Sequence, residues 1–510
     1  MSQPYIKRIL NAQVYDVARE TPLDAAPLLS ARLDNEAFLK REDLQPVFSF
    51  KCRGAYNKMV HLDVAARAAG VVAASAGNHA QGVALAASKL GIKATIVMPV
   101  TTPLIKVDAV KALGAKVLMH GDSFDEAAVR ARALTESEGC TFIHPFDDPD
   151  VIAGQGTVAV ELVRQAQQPL DYVFVCCGGG GLLAGMAAYL RYVWPHTRII
   201  GVEPEDAACV QAALEKGRRV TLREVGLFAD GCAVAQVGKE TFRLIRDCVD
   251  DVITVSTDEI CAAVKDIFED TRAIAEPAGA LAVAGMKKYS AEHHVTGASM
   301  AATVSGANTN FDRLRYISER TEIGERREAV LSVTIPERPG AFKAFCHAIG
   351  KRNVTEFNYR YETAAEAKVF VGLTVTPGDE SLDALQDALR EKGYRVLDMT
   401  DNETAKLHLR HMVGGRLSED ISDEMVFRVE FPERPGSLLQ FLTVLGDEYS
   451  ISLFHYRNHG AAFGRILVGM QVPEGKRAAL RKALNRLGYR FWEETDNPAY
   501  REYLGQVERT

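Results

Sequence analysis

"DYVFVCCGGGGLLAG", residues 171–185, carries an apolar run into four consecutive glycines, Gly178, Gly179, Gly180 and Gly181, and then into a second apolar stretch. An apolar run this short, bounded by glycine, fits a strand buried on both faces, as parallel strands are. The glycines place main-chain N–H groups, with no side chain above them, at the start of the following helix, where the helix dipole also favours an anion. A phosphate suits such a loop. The pattern lacks both the G-x-G-x-x-G spacing and a Walker lysine, so a nucleotide is a weaker guest. A glycine-rich turn that serves close packing alone is the other reading of the loop.

The same alternation extends in both directions. "GVVAASAG", "KATIVMPV", "AKVLMHG", "TRIIGVEPE" and "MAATVSGAN" read as strands, and helical stretches such as "HAQGVALAASKLG" and "PLIKVDAVKALG" end on glycine just before the next strand. Residues 1–310 are therefore expected to form a doubly wound α/β domain. After it, "NFDRLRYISERTEIGERRE" is charge-rich and helical, and 311–328 reads as a connector. A repeat follows. "LSVTIPERPGAF" at 331–342 returns as "FRVEFPERPGSL" at 427–438, "FNYRY" at 357 as "FHYRN" at 454, and "KVFVGLTV" at 368 as "RILVGMQV" at 465. Each copy, 329–410 and 425–502, predicts a βαββαβ module. Pro339-Gly340 and Pro435-Gly436 sit where a strand turns into a helix, so N–H groups freed there could meet a ligand carboxylate or could simply make a turn.

Composition narrows the function. The 510 residues are 47% apolar with a net charge of -7, a field that opposes nucleic acid and anionic membrane and favours small-molecule work. No stretch reaches the roughly 20 apolar residues of a membrane span. The nine cysteines form no C-x-x-C pair and suit a reducing, cytoplasmic setting.

Three further motifs share the first domain. "SFKCRGAY" sets Lys51 between Phe50 and an Arg-Gly pair; "SAGNHAQG" offers Ser75, Gly77, Asn78 and His79 at a helix start; "TVSGAN" brings Ser305 to the end of a strand. Ligands of open α/β sheets gather at the carboxyl ends of strands, so these loops and the glycine loop are expected to face one cleft. A lysine beside a phosphate cradle suits pyridoxal phosphate, whose aldehyde bonds a lysine amine. On their own, Lys51 reads as a solvated charge and His79 as a hydrogen-bonded structural residue.

In this order, "SFKCRGAY", "SAGNHAQG", "GGGGL", "AEPAGA" and "TVSGAN" resemble the fold type II (tryptophan-synthase-β-like) pyridoxal-phosphate family, in its serine/threonine dehydratase branch. The tandem modules resemble the paired ACT-like regulatory domains of its biosynthetic threonine dehydratases. The resemblance implies that Lys51 is the Schiff-base lysine and general base, that Gly178–Gly181 hold the phosphate, that Phe50 lies against the cofactor ring, that Asn78 bonds its 3-oxygen and that Ser305 faces its pyridine nitrogen. Ser75, Gly77 and His79 would line the substrate carboxylate pocket. The implied reaction is β-elimination from L-threonine, with L-serine as a second substrate, to a 2-oxo acid and ammonia at the entry to isoleucine synthesis. Isoleucine would inhibit, valine would oppose it, and the assembly would be a homotetramer. Glu276 of "AEPAGA" has no assigned step, and no metal is expected, because Cys209 stands where relatives that bind a cation near the position of Glu203 carry a second carboxylate. Serine racemase, cysteine synthase and threonine synthase share the cofactor chemistry. An amino-acid-sensing nicotinamide enzyme is the alternative from another class.

Overall fold

In the computed structural model the chain forms two compact units, Met1–Gly324 and Glu325–Thr510. The structure describes residues 3–504 apart from 123, 312, 325–327, 337, 339, 351, 353, 361–365, 375–381, 403–404, 406–422, 433–436, 446–448, 458–462, 498–499 and 501–503.

The strands of the first unit are β1 (Leu23–Ala25), β2 (Glu36–Arg41), β3 (Val71–Ala74), β4 (Ala94–Met98), β5 (Lys116–Met119), β6 (Thr141–Phe142), β7 (Tyr172–Cys176), β8 (Arg198–Pro204), β9 (Asp251–Val255) and β10 (Ser299–Val304). They build two sheets, where the sequence pattern alone suggested one wound domain. The larger runs β1-β2-β10-β7-β8-β9 and is parallel except for the β1 edge; the smaller, β5-β4-β3-β6, is parallel throughout. Every residue of β3 and β10 is buried, as expected of strands covered on both faces.

Helix Lys51–Val60 is pressed between helices Asn78–Leu90 and Pro149–Gln165. Glycine permits this approach: a Cβ at Gly82 would stand 3.0 Å from the carbonyl carbon of Lys51, and one at Gly154 would stand 2.7 Å from the Cα of Gly54. Beneath the same helix lies a fully buried ion network. The Arg53 guanidinium bonds Glu42 at 2.8 Å and Glu161 at 2.6 Å, and Lys40 bonds Glu161 at 2.7 Å. Burial alone would push Glu161 up, but Arg53 and Lys40 together hold its carboxyl below the usual range. Strand β2 and helices Lys51–Val60 and Pro149–Gln165 are thereby cross-linked. Within 311–328, helix Arg313–Gly324 belongs to the first unit and lies against helix Thr257–Thr271, with Arg320 Nε 2.5 Å from Asp258 and the Thr321 hydroxyl donating to the Cys261 carbonyl at 3.1 Å.

The second unit holds β11 (Glu328–Pro336), β12 (Val354–Arg360), β13 (Glu366–Thr374), β14 (Arg395–Asp398), β15 (Glu424–Pro432), β16 (Ser450–Arg457), β17 (Phe463–Gln471) and β18 (Arg490–Glu493). With helices Ala341–Ile349, Leu382–Glu391, Ser437–Leu445 and Arg477–Arg486, these give βαββαβ twice. The copies share one eight-stranded sheet, β14-β11-β13-β12-β16-β17-β15-β18. They meet at antiparallel β12 and β16, where Asn358 pairs with His455, flanked by Phe357 with Tyr456 and Tyr359 with Phe454. The second residues of "FNYR" and "FHYR" thus face each other across a local dyad. Phe342 covers the seam, its ring centroid 4.8 Å from that of Phe357 and 5.3 Å from that of Phe454. Pro339 and the pair Pro435-Gly436 lie outside the described residues.

Candidate active site

Lys51 opens its helix, and its ammonium sits 3.2 Å from the Pro145 carbonyl and 5.2 Å from the centre of the Phe50 ring. Burial lowers its pKa, against the opposing pull of Cys232, Cys176 and Glu276, so the neutral amine is more accessible than in a solvated lysine. The serine loop is tied to the same spot. Ser49 bridges Gly306, the Phe50 N–H donates to the Ser305 carbonyl at 3.4 Å, and the Ala307 N–H donates to the Phe48 carbonyl at 2.9 Å. The Ser305 hydroxyl is buried and donates to the Ala278 carbonyl at 3.3 Å.

The glycine loop packs on Phe146, next to the Pro145 that meets Lys51. Gly180 caps helix Gly181–Val193 with φ +91°, a left-handed conformation that strains any residue with a Cβ. A Cβ at Gly179 would enter the Phe146 ring at 2.3 Å. The Gly179 carbonyl is held by the Thr241 hydroxyl at 2.8 Å, and among the described residues no acceptor meets the N–H groups of Gly178, Gly179, Gly180 and Gly181. Four unsatisfied donors at a helix start make an anion cradle.

A second group of free donors lies at the start of helix Asn78–Leu90. The N–H groups of Ala76, Asn78, His79 and Ala80 meet no acceptor among the described residues, whereas that of Gly77 donates to the Ser75 hydroxyl at 3.2 Å. The His79 ring is committed to structure. Its Nε2 donates to the Ile143 carbonyl at 2.9 Å, and burial, with Lys51 nearby, pushes its pKa down to about 3, so it stays neutral. The His79 backbone N–H meets no acceptor among the described residues. The Asn78 amide donates to Glu276 at 2.6 Å and accepts from Asn308 at 2.6 Å.

The segment His144–Asp150 carries site geometry that sequence reasoning passed over. Pro145 meets Lys51, Phe146 fills the glycine loop, Asp147 accepts from the N–H groups of Lys239 and Glu240 at 2.8 Å each, and Asp148 caps helix Pro149–Gln165. Its signal was an Asp-Pro-Asp run before an apolar helix, which marks a capped helix start but no site. Glu203 is spent on capping: its two oxygens accept from the N–H groups of Val210 at 2.9 Å and Gln211 at 2.8 Å. Among the described residues no group of three His, Cys, Asp or Glu could hold a metal ion.

An amine of lowered pKa, a four-amide anion cradle and a neutral hydroxyl fit pyridoxal phosphate, and with the two-sheet fold they define the fold type II class. The family model described as "Pyridoxal-phosphate dependent enzyme" matches residues 14–306, and "C-terminal regulatory domain of Threonine dehydratase" matches 319–409 and 415–504. The chain is 54% identical over 506 residues to L-threonine dehydratase biosynthetic IlvA of Burkholderia multivorans, covering 99% of each chain. It is 52% identical over 500 residues to the Escherichia coli protein of the same name, covering 98% of this chain and 97% of that one. The processed form of threonine deaminase isoform 2 from Solanum lycopersicum superimposes with a TM-score of 0.62 at 48% identity, over 62% of this chain and 93% of that one. The chain belongs to the biosynthetic threonine dehydratase family of pyridoxal-phosphate enzymes.

Proposed function

We infer that the protein removes water and then ammonia from L-threonine to give 2-oxobutanoate, at the first committed step of isoleucine biosynthesis. The observation that supports this reading is the Lys51 amine, its pKa lowered by burial, held against the Pro145 carbonyl beside Phe146, whose ring packs on the glycine loop. Pyridoxal phosphate supplies the electron sink that makes the α-proton of an amino acid labile. Lys51 would hold the cofactor, and its amine would serve as the general base for that proton. The amides of Gly178–Gly181 bind the phosphate. The amides of Asn78 and His79, with the Ser75 hydroxyl, would bind the substrate carboxylate, and Phe50 would flank the ring. A neutral Ser305 hydroxyl, unlike a carboxylate, leaves the pyridine nitrogen without a charge partner, which favours elimination over transamination.

Control belongs to the second unit. Between its modules lies a pocket lined by Arg338, Gly340, Phe342, Tyr359, Leu442 and Tyr449. A guanidinium near a helix start, with apolar walls, suits an amino acid with a branched aliphatic side chain. Isoleucine as inhibitor and valine as its opponent fit that chemistry, and a cytosolic homotetramer completes the reading; no described helix is long and apolar enough to cross a membrane.

The test is release of 2-oxo acid from L-threonine and L-serine, with borohydride trapping of the cofactor. Wild type should release 2-oxobutanoate and be labelled at Lys51. Lys51→Ala should lose both. Turnover of threonine by that variant at even a few per cent of the normal rate would refute the assignment.

A further inference from the structure

Glu276 is the N-cap residue of helix Pro277–Glu292, yet its side chain makes no capping bond. Glutamate is a poor N-cap in any case, since the short side chains of Ser, Thr, Asp and Asn reach the first free amides better. Instead the buried carboxylate turns to Asn78 and accepts from its Nδ2 at 2.6 Å. The Glu276 N–H is fastened to the Gly306 carbonyl at 3.0 Å, and a Cβ at Gly306 would stand 2.4 Å from Glu276 Oε1, so the serine loop packs directly on the carboxylate.

The orientation of Asn78 follows from a chain of bonds that starts at a main-chain atom. The Val47 carbonyl can only accept, so the group of Asn308 that bonds it at 2.8 Å must be Nδ2. The second hydrogen of that Nδ2 goes to Asn78 Oδ1 at 2.6 Å. Asn78 Oδ1 is thereby fixed as an acceptor, and its Nδ2 gives one hydrogen to Glu276 and keeps a second that meets no acceptor among the described residues. We propose that Glu276, acting through Asn78, fixes which amide hydrogen is presented to the cofactor's 3-oxygen, and is thus a positioning residue for the reaction. Asn308 anchors the other end of the same relay. Without the Glu276 acceptor, the Asn308 bond alone holds the Asn78 amide, and the hydrogen that Glu276 takes loses its partner, so the direction of the remaining hydrogen is less tightly set. The raised pKa of Glu276, about 7, set first by burial and then by Asp230, is compatible with either protonation state, since each offers Asn78 an acceptor oxygen.

This inference rests on the cofactor assignment above, and its test separates the two. Apo-protein of wild type, Glu276→Ala, Glu276→Gln, Asn78→Ala and the Glu276→Ala/Asn78→Ala double variant is titrated with pyridoxal phosphate, and the dissociation constant and visible absorption band of the bound cofactor are read. Wild type without a visible band would overturn the cofactor assignment itself. With the band present, Glu276→Ala should weaken cofactor binding about tenfold, the order of one hydrogen bond, and shift the band. In the Asn78→Ala background the same change should cost less than about twofold, because the amide it orients is gone. Glu276→Gln keeps an acceptor oxygen and should stay close to wild type. Equal losses from Glu276→Ala in both backgrounds, or a Glu276→Gln variant as weak as Glu276→Ala, would overturn the proposal.

Discussion

Glu203 illustrates how one buried carboxylate can serve structure while resembling a ligand in sequence. It is fully buried, and burial pushes its pKa up to about 7 even though the Val210 and Gln211 amides pull it down. The native state therefore holds its proton more tightly than the unfolded chain does, so stability contributed at this residue falls as pH rises from about 4.5 to about 7. Glu203→Gln cannot ionise. Thermal melting of the two proteins at pH 5 and pH 8 should show the difference in Tm moving in favour of the variant at the higher pH; a difference independent of pH would remove the burial argument. Single residues were also the scale at which the sequence was least legible. Lys51 and Ser305 stood in readable motifs, but the structural duty of His79 depends on the Ile143 carbonyl, 64 residues away. The partner of Asn78, Glu276, is 198 residues away. Side-chain partners so distant leave no periodic trace.

Elements were legible where local pattern decides them and illegible where tertiary contacts do. Parallel strands announced themselves as short apolar runs, and helix ends as glycines. Nothing local said that helix Lys51–Val60 would lie so close to its neighbours. Gly54, Gly82 and Gly154 look like ordinary helix-weakening residues until the partner helix is in place. The buried network beneath that helix has a testable cost. Removing the Glu161 carboxylate leaves both Arg53 and Lys40 without one of their partners in the interior, and breaking a buried pair costs about 3–5 kcal/mol. Glu161→Ala should lose about that much in chemical denaturation, and its residual activity should fall with it, because the same helix carries Lys51. Replacement without measurable loss would mean that water or rearrangement satisfies the two cations.

At the scale of the whole chain, the repeat told of two modules but not that they would join edge to edge into a single sheet, since strand pairing between copies has no signature within either copy. The division between the units falls after Gly324, and helix Arg313–Gly324 goes with the first. A chain ending at Gly324 keeps every residue of the candidate active site and loses every residue of the pocket between the modules. It should turn over threonine and ignore isoleucine, whereas the full chain, with a coupling of about 1–3 kcal/mol, should show its affinity for threonine change about 5- to 150-fold. Titration of both proteins at one threonine concentration checks this, and equal inhibition would place the effector site in the first unit. The seam at Asn358 and His455 carries a further consequence. Because two copies of one module pair through equivalent strands, the same edge would have let two separate modules dimerise, and fusing them in one chain fixes their ratio at one to one. The outward ends of the fused sheet, β14 and β18, are only four residues long each, against nine for their neighbours β11 and β15. Such stubs give a third module little edge to grip, so further growth of the sheet by strand addition is disfavoured.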